Sequence, residues 1–179
     1  MKILLHVCCA PCAIHPFKEL IENNENQVTG FFYNPNIHLA EEEDRRRQAL
    51  TEYAKKENFE VIFGAYDAKD FFERVGSNQE APSRCKICWR MRLEKTAEVA
   101  RSGNFDAFTT TLLVSPYQNQ DTIVQIGHEV GSKSGIKFLA IDFREGFKGA
   151  QQQARQSGIY RQKYCGCTYS REERERCRK

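Results

Sequence analysis

Short apolar runs alternate with segments of helical periodicity along the chain, and this alternation constrains the fold more than any other feature. Residues 3–7, Ile-Leu-Leu-His-Val, have the pattern of a buried strand, and helical spacing follows in residues 13–23. The alternation predicts one α/β domain over residues 1–179, with a mainly parallel sheet and helices on both faces. The other predicted strands are residues 28–33, 60–63, 107–112 and 137–141, and the other predicted helices are residues 39–57, 68–74, 85–101, 118–133, 149–156 and a segment after Ser170.

The cysteine content points to metal binding or redox chemistry. The apolar start is too short for a signal peptide, and no run is long enough to span a bilayer, so we expect a cytoplasmic protein without membrane contact. Thiols stay reduced in that compartment, where clustered cysteines more often bind metal than form structural disulfides. The eight cysteines fall into groups: Cys8, Cys9 and Cys12; Cys85 and Cys88; Cys165 and Cys167; and Cys177 alone.

The first cysteine group follows the first predicted strand, where ligands gather in open α/β sheets. Many enzymes place a glycine-rich phosphate loop there, but residues 1–29 contain no glycine. We therefore expect no bound nucleotide cofactor, and electrons would come from an external donor.

The second group, Cys85-Lys86-Ile87-Cys88, opens a predicted helix whose amide groups favour thiolates. It supplies two ligands, whereas a cubane cluster or a structural zinc ion takes about four. Cys8 and Cys9 are the best candidates for the missing pair, and zinc remains an alternative occupant.

The third group, Cys165-Gly166-Cys167, can close a small disulfide ring that is readily reduced. The flanking Arg161 and Lys163 favour thiolates there. A redox-active pair and further metal ligation are both open interpretations.

Other residues have weaker signals. Asp142, at the end of a strand, is a candidate proton donor, with a cap or salt bridge as the alternative. Trp89, Tyr117 and Tyr160 are candidates for stacking on a base or for packing. Residues 160–179 hold seven basic and three acidic side chains, which suit either phosphate contacts or a solvated end. The Arg45-Arg46-Arg47 triplet is interpreted as a solvated helix face, and His6 as a core histidine.

Taken together, these motifs resemble the QueH family, the cobalamin-independent epoxyqueuosine reductases. The resemblance covers nearly the whole chain. It lies in residues 5–12 (Leu-His-Val-Cys-Cys-Ala-Pro-Cys), 33–38, 84–88, 110–112, 115–117, 142–144, 160–162 and 164–167.

The resemblance implies a [4Fe–4S] enzyme of queuosine biosynthesis that acts on the modified wobble base of tRNA. By position, the cluster ligands would be Cys8, Cys9, Cys85 and Cys88, and the redox pair would be Cys165 and Cys167. Cys12 would remain near the cluster for an additional iron. The fold implied is the adenine-nucleotide-alpha-hydrolase-like (PP-loop/HUP) α/β fold of tRNA-thiolating enzymes.

Two other functions fit part of the pattern. Cys9-Ala10-Pro11-Cys12 is similar to the thioredoxin motif and would suit a thiol–disulfide oxidoreductase, which leaves the other cysteine groups unexplained. A zinc-stabilised RNA-binding module without catalysis is the second. Iron and acid-labile sulfide analysis separates these functions from an iron–sulfur reductase.

Overall fold

Five parallel strands form the centre of the structure, a computed structural model that describes residues 1–22 and 25–177. Their order in the sheet is β3-β2-β1-β4-β5. The strands are β1 (Lys2–His6), β2 (Gln27–Phe32), β3 (Val61–Phe63), β4 (Ala107–Thr110) and β5 (Lys137–Phe138). The helices are α1 (Ala10–Ile21), α2 (Ala40–Glu57), α3 (Ala68–Val75), α4 (Ser83–Ser102), α5 (Gln120–Ser134), α6 (Phe147–Gln156) and α7 (Thr168–Arg176).

The central strand β1 is buried on both faces of the sheet. Its residues Ile3, Leu4 and Leu5 are fully buried, as expected for a parallel strand covered on both faces. His6 is also fully buried, with Nδ1 2.8 Å from the Thr110 hydroxyl and Nε2 3.2 Å from the Tyr33 carbonyl. Burial lowers the pKa of His6 to about 4. The interpretation of His6 as a core histidine is confirmed.

The strand order places a topological switch point between β1 and β4. The chain leaves β1 through α1 towards β2, and leaves β4 through α5 towards β5, on the opposite side. Right-handed crossovers in opposite directions put α1 and α5 on opposite faces of the sheet. The predicted parallel sheet with helices on both faces is therefore confirmed. Ligands in such sheets bind at the carboxyl ends of the strands beside the switch point.

Several element boundaries differ from the predicted ones. Helix α1 begins at Ala10 rather than at residue 13, because Pro11 is favourable in a first helical turn. Strand β4 ends at Thr110, whose hydroxyl accepts a hydrogen bond from the Leu112 amide and starts a 3₁₀ turn at Thr111–Val114. Strand β5 has two residues instead of the predicted five. Asn23, the predicted end of the first helix, lies outside the described residues.

The apolar core has two parts. The larger part packs the helices against the sheet, with Leu50, Leu93 and Phe108 among its buried residues. The smaller part joins α3, α4 and the segment before α7; its buried residues are Phe71, Val75, Cys88, Met91 and Cys167. The smaller core thus brings the second and third cysteine groups together. No helix in residues 1–22 and 25–177 has the length and apolar character of a membrane span.

Candidate active site

A cavity of about 970 Å³ opens at the carboxyl ends of β1 and β4, at the switch point. Cys9 lies buried beside it, and Cys177 is exposed and does not line it. All three predicted cysteine groups therefore converge on one cavity. The cysteines in its wall are Cys8, Cys12, Cys85, Cys88, Cys165 and Cys167.

The first group forms a compact set of sulfur atoms. The Sγ atoms of Cys8, Cys9 and Cys12 all lie within 4.8 Å of one another, and Cys9 and Cys12 are 2.7 Å apart. Because α1 begins at Ala10, Cys12 sits in its first turn and Cys9 is the residue before it. Three converging thiols are suited to bind one metal ion, or to ligate separate iron atoms of one cluster.

Two polar side chains hold this sulfur set. The Thr111 hydroxyl accepts from the Cys8 amide at 3.1 Å and lies 3.3 Å from Cys8 Sγ. The Gln162 amide donates to Cys9 Sγ at 2.8 Å. Hydrogen bonds from Cys12 and Cys9 hold the pKa of Cys8 well below its usual value, whereas burial raises the pKa of Cys9. Hydrogen bonds within the set therefore favour one thiolate among its three sulfurs.

The second group does not have the protonation state predicted from its helix position. Cys85 and Cys88 lie in the first turns of α4, as expected. Burial nevertheless raises the pKa of both thiols, that of Cys88 to about 11, and outweighs the nearby Arg92 guanidinium. Metal binding must therefore displace protons from these thiols.

The third group is held in a conformation that requires glycine. Gly166 has φ +123°, and a Cβ atom there would lie 2.8 Å from Ile37 Cγ1. The Gly166 carbonyl accepts from the His38 amide at 3.0 Å. The Sγ atoms of Cys165 and Cys167 lie 3.7 Å apart. This separation allows closure to a disulfide by a small movement.

The low pKa of Cys165 has a different cause from the one predicted. Hydrogen bonds from Cys167 and Ser170 lower its pKa to about 5, although burial opposes this. The sequence prediction attributed thiolate character here to Arg161 and Lys163. Cys165 lines the cavity, and its low pKa favours the thiolate at neutral pH, which suits a redox-active thiol.

Arg46 is a site residue that sequence analysis missed. Its side chain is 1% exposed and donates to the Glu42 carboxylate at 2.8 Å. It also donates to the Tyr164 and Cys165 carbonyls at 3.1 and 3.0 Å. The interpretation as a solvated helix face is wrong for this residue. A signal was present, because positions 46, 50 and 53 share one helical face and Leu50 and Tyr53 are apolar.

We expect Arg46→Gln to lower the free energy of unfolding by about 3–5 kcal/mol, because it leaves a buried carboxylate without its cation. Urea unfolding of anaerobic protein measures this change. Arg45→Gln, at the exposed neighbour in the same triplet, is the matched control and should stay within about 0.5 kcal/mol. Equal losses in the two variants would show that Arg46 has no special structural role.

Two further buried arginines face the cavity. Arg84 makes a bidentate ion pair with Glu173, with both nitrogen–oxygen distances 2.9 Å. This ion pair links α4 to α7. Arg92 is 5% exposed and donates to the Cys88 carbonyl at 3.2 Å. No carboxylate of the described residues lines the cavity. Thiols surrounded by guanidinium groups fit a thiolate-bound metal, since the cations offset the negative charge of the ligands.

Asp142 is poorly placed for its predicted role as a proton donor. It is exposed and does not line the cavity. Hydrogen bonds from Arg144 lower its pKa, so the carboxylate stays ionised. Tyr164 does line the cavity, and burial raises its pKa, so it keeps its proton at neutral pH.

The three candidate stacking residues have different environments. Trp89 is 6% exposed and donates to Gln118 Oε1 at 3.0 Å, and Tyr160 donates to the Glu42 carboxylate at 2.7 Å. Tyr117 is 85% exposed at the cavity wall. Tyr117 is therefore the only one of these three with a free ring face in the described structure.

Only part of the basic segment 160–179 reaches the cavity. Arg161 and Lys163 line it, whereas the described residues of α7 do not. Arg178 and Lys179 lie outside the described residues. The expectation of phosphate contacts along this segment stays a prediction.

The chain is similar to one protein family over almost its whole length. A profile of the family described as epoxyqueuosine reductase QueH matches residues 3–173. The chain is 34% identical over 174 residues to epoxyqueuosine reductase QueH of Dehalococcoides mccartyi, covering 97% of this chain and 94% of the relative. It is 36% identical to epoxyqueuosine reductase QueH of Thermotoga maritima, covering 96% of this chain and 91% of the relative.

Solved structures share the fold at low sequence identity. The U34-tRNA thiolase NcsA from Methanococcus maripaludis, determined with its [4Fe-4S] cluster, has a TM-score of 0.60 and 13% identity, covering 95% of this chain and 61% of that chain. A predicted subunit of a tRNA methyltransferase from Methanocaldococcus jannaschii has a TM-score of 0.57 and 10% identity, covering 87% of this chain and 76% of that chain. The expected fold of tRNA-thiolating enzymes is thus confirmed.

Proposed function

This chain belongs to the epoxyqueuosine reductase family QueH, and we propose on that basis that it reduces epoxyqueuosine to queuosine at the wobble position of tRNA. The observation that carries the proposal is the convergence of three cysteine groups on one cavity at the sheet's switch point. The cavity is large enough for a modified base.

We propose that Cys8, Cys9, Cys85 and Cys88 hold a [4Fe–4S] cluster, with Cys12 left for an additional iron. The closeness of the Cys8 and Cys9 sulfurs, and the place of Cys85 and Cys88 in the wall of the same cavity, support this assignment. When bound, such a centre supplies Lewis acidity towards an oxygen atom and one-electron chemistry. The protein contributes thiolate ligands and offsets their charge through Arg46, Arg84 and Arg92.

The Cys165–Cys167 pair supplies the reducing equivalents in this proposal. Closure of the dithiol to a disulfide releases two electrons and two protons. Both carbon–oxygen bonds of the epoxide break, the alkene forms, and the oxygen leaves as water. An external reductant then restores the dithiol. The 3.7 Å separation of the two sulfurs and the low pKa of Cys165 support this role.

Tyr164 is the proton-holding group we propose in place of Asp142. Tyr164 lines the cavity, and burial raises its pKa, so its hydroxyl keeps its proton at neutral pH. Its backbone carbonyl is held by Arg46, which fixes the segment that leads to Cys165. A protonated phenol at this position is suited to donate to the departing oxygen.

The alternative functions explain less of the geometry. Cys9 and Cys12 have adjacent sulfurs, but they are 1% and 7% exposed, and both have raised pKa values. Thiol exchange with another protein needs an accessible thiolate, which these residues do not offer. A zinc-stabilised RNA-binding module gives no role to the low-pKa Cys165. Conversion of epoxyqueuosine in tRNA to queuosine by the purified, cluster-loaded chain tests the proposed function.

A further inference from the structure

The outer part of the cavity carries a cationic surface made by α6 and the segment that follows it. Its members are the exposed side chains of Lys148, Arg155, Arg161 and Lys163, which all line the cavity. Within residues 1–22 and 25–177, none of the four forms an ion pair with a carboxylate. Their charges are therefore available to an anionic partner, and we name this surface the α6 rim.

Helix α6 is built to present these cations. Ala150 and Ala154 are buried, and α6 packs against α1. Lys148, Gln152 and Arg155 recur at intervals of four and three, so they share the face towards the cavity. Lys148 and Arg155 are about 10 Å apart along the helix axis, enough to follow more than one phosphate of a strand.

An exposed aromatic ring stands beside the rim. Tyr117 is 85% exposed. Its ring packs edge to face against Phe147, the first residue of α6, with the ring centroids 5.9 Å apart. A large exposed aromatic next to unpaired cations is typical of surfaces that bind unpaired nucleotides, where bases stack on rings and cations contact phosphates.

We propose that the α6 rim contacts the phosphates of the tRNA anticodon loop, while Tyr117 stacks on a base next to the one that enters the cavity. This inference rests on the proposed function, because it assumes that a base of tRNA is the substrate. It assigns the RNA surface to α6 and residues 161–163 rather than to the C-terminal helix.

The charge pattern of α7 makes it the natural control. Three arginines in residues 171–176 are matched by three glutamates, and Glu173 is already paired with Arg84. No residue of α7 lines the cavity. A pair of substitutions at Arg174 and Arg176 removes the same charge as a pair on α6, at a different place.

The test is binding of a fluorescent anticodon stem–loop hairpin to the cluster-loaded protein over a range of salt concentrations. We expect the double variant Lys148→Gln, Arg155→Gln to raise Kd by about an order of magnitude. The salt slope, which is the slope of log K against log salt concentration, should become shallower by about 1.4 to 2. Arg174→Gln with Arg176→Gln should leave Kd within about twofold. An unchanged salt slope in the α6 variant, or a larger loss in the α7 variant, overturns the inference.

The stacking contact is tested separately with Tyr117. We expect Tyr117→Ala to weaken hairpin binding about fivefold or more without changing the salt slope, and Tyr117→Phe to retain affinity. Equal affinity of Tyr117→Ala and wild type removes the stacking role. If wild type reduces epoxyqueuosine but the α6 variant binds normally, only the rim assignment fails. If wild type binds but does not reduce the base, only the proposed function fails.

Discussion

Cys88→Ala is expected to remove the cluster, and with it about four iron atoms per chain, and to abolish epoxide reduction. Cys88 is 8% exposed and faces the cavity, and no other thiol of α4 can replace its sulfur beside Cys85. Loss of one ligand leaves the cluster open to solvent and oxygen. The measurement is iron and acid-labile sulfide per chain in anaerobically purified protein, together with the charge-transfer absorption of the cluster.

Cys177→Ala is the matched control for that experiment. Cys177 is exposed and does not line the cavity, so its loss should change neither iron nor activity. Full iron content in Cys88→Ala would contradict the ligand assignment. A colourless wild type that holds zinc and no iron would contradict the iron–sulfur centre itself.

Cys167→Ser should lose at least about a thousandfold in turnover while keeping near-normal iron. The serine hydroxyl cannot form a disulfide with Cys165, so the two electrons are not delivered. The fold should tolerate the change, because the Cys167 side chain accepts from the Ser170 amide at the start of α7, and serine is a favourable residue at that position.

Two measurements on Cys167→Ser, iron content and rate of queuosine formation, decide the role of this cysteine. Cys177→Ser is the control for the loss of a thiol outside the cavity. A fall in iron that parallels the fall in rate would identify Cys167 as a metal ligand instead of a redox thiol.

The sheet and the position of the first cysteine group could be predicted because both depend on periodicity and connectivity. An apolar run such as residues 3–7 fixes a buried strand, and parallel connections bring strand ends to one edge. The predicted start of α1 lies three residues too late, because the helical spacing of apolar residues begins only after Ala13, whereas Pro11 already stands in the first helical turn.

The protonation states of the cysteine thiols could not be predicted from the sequence, because they depend on how deeply each thiol is buried. The helix start suggested thiolates at Cys85 and Cys88, but burial raises both pKa values. Arg46 was missed for a related reason. Its spacing from Glu42 is the same as in an exposed ion pair, and only the tertiary contact with residues 164–165 makes it part of the site.

The most direct test of the account is nucleoside mass spectrometry of tRNA carrying epoxyqueuosine after anaerobic incubation with the reduced, cluster-loaded chain. Queuosine should appear with loss of one oxygen atom, without ATP and without added sulfur, and Cys167→Ser should give almost none. Unchanged epoxyqueuosine with cluster-loaded wild type, under several low-potential reductants, would contradict the proposed function.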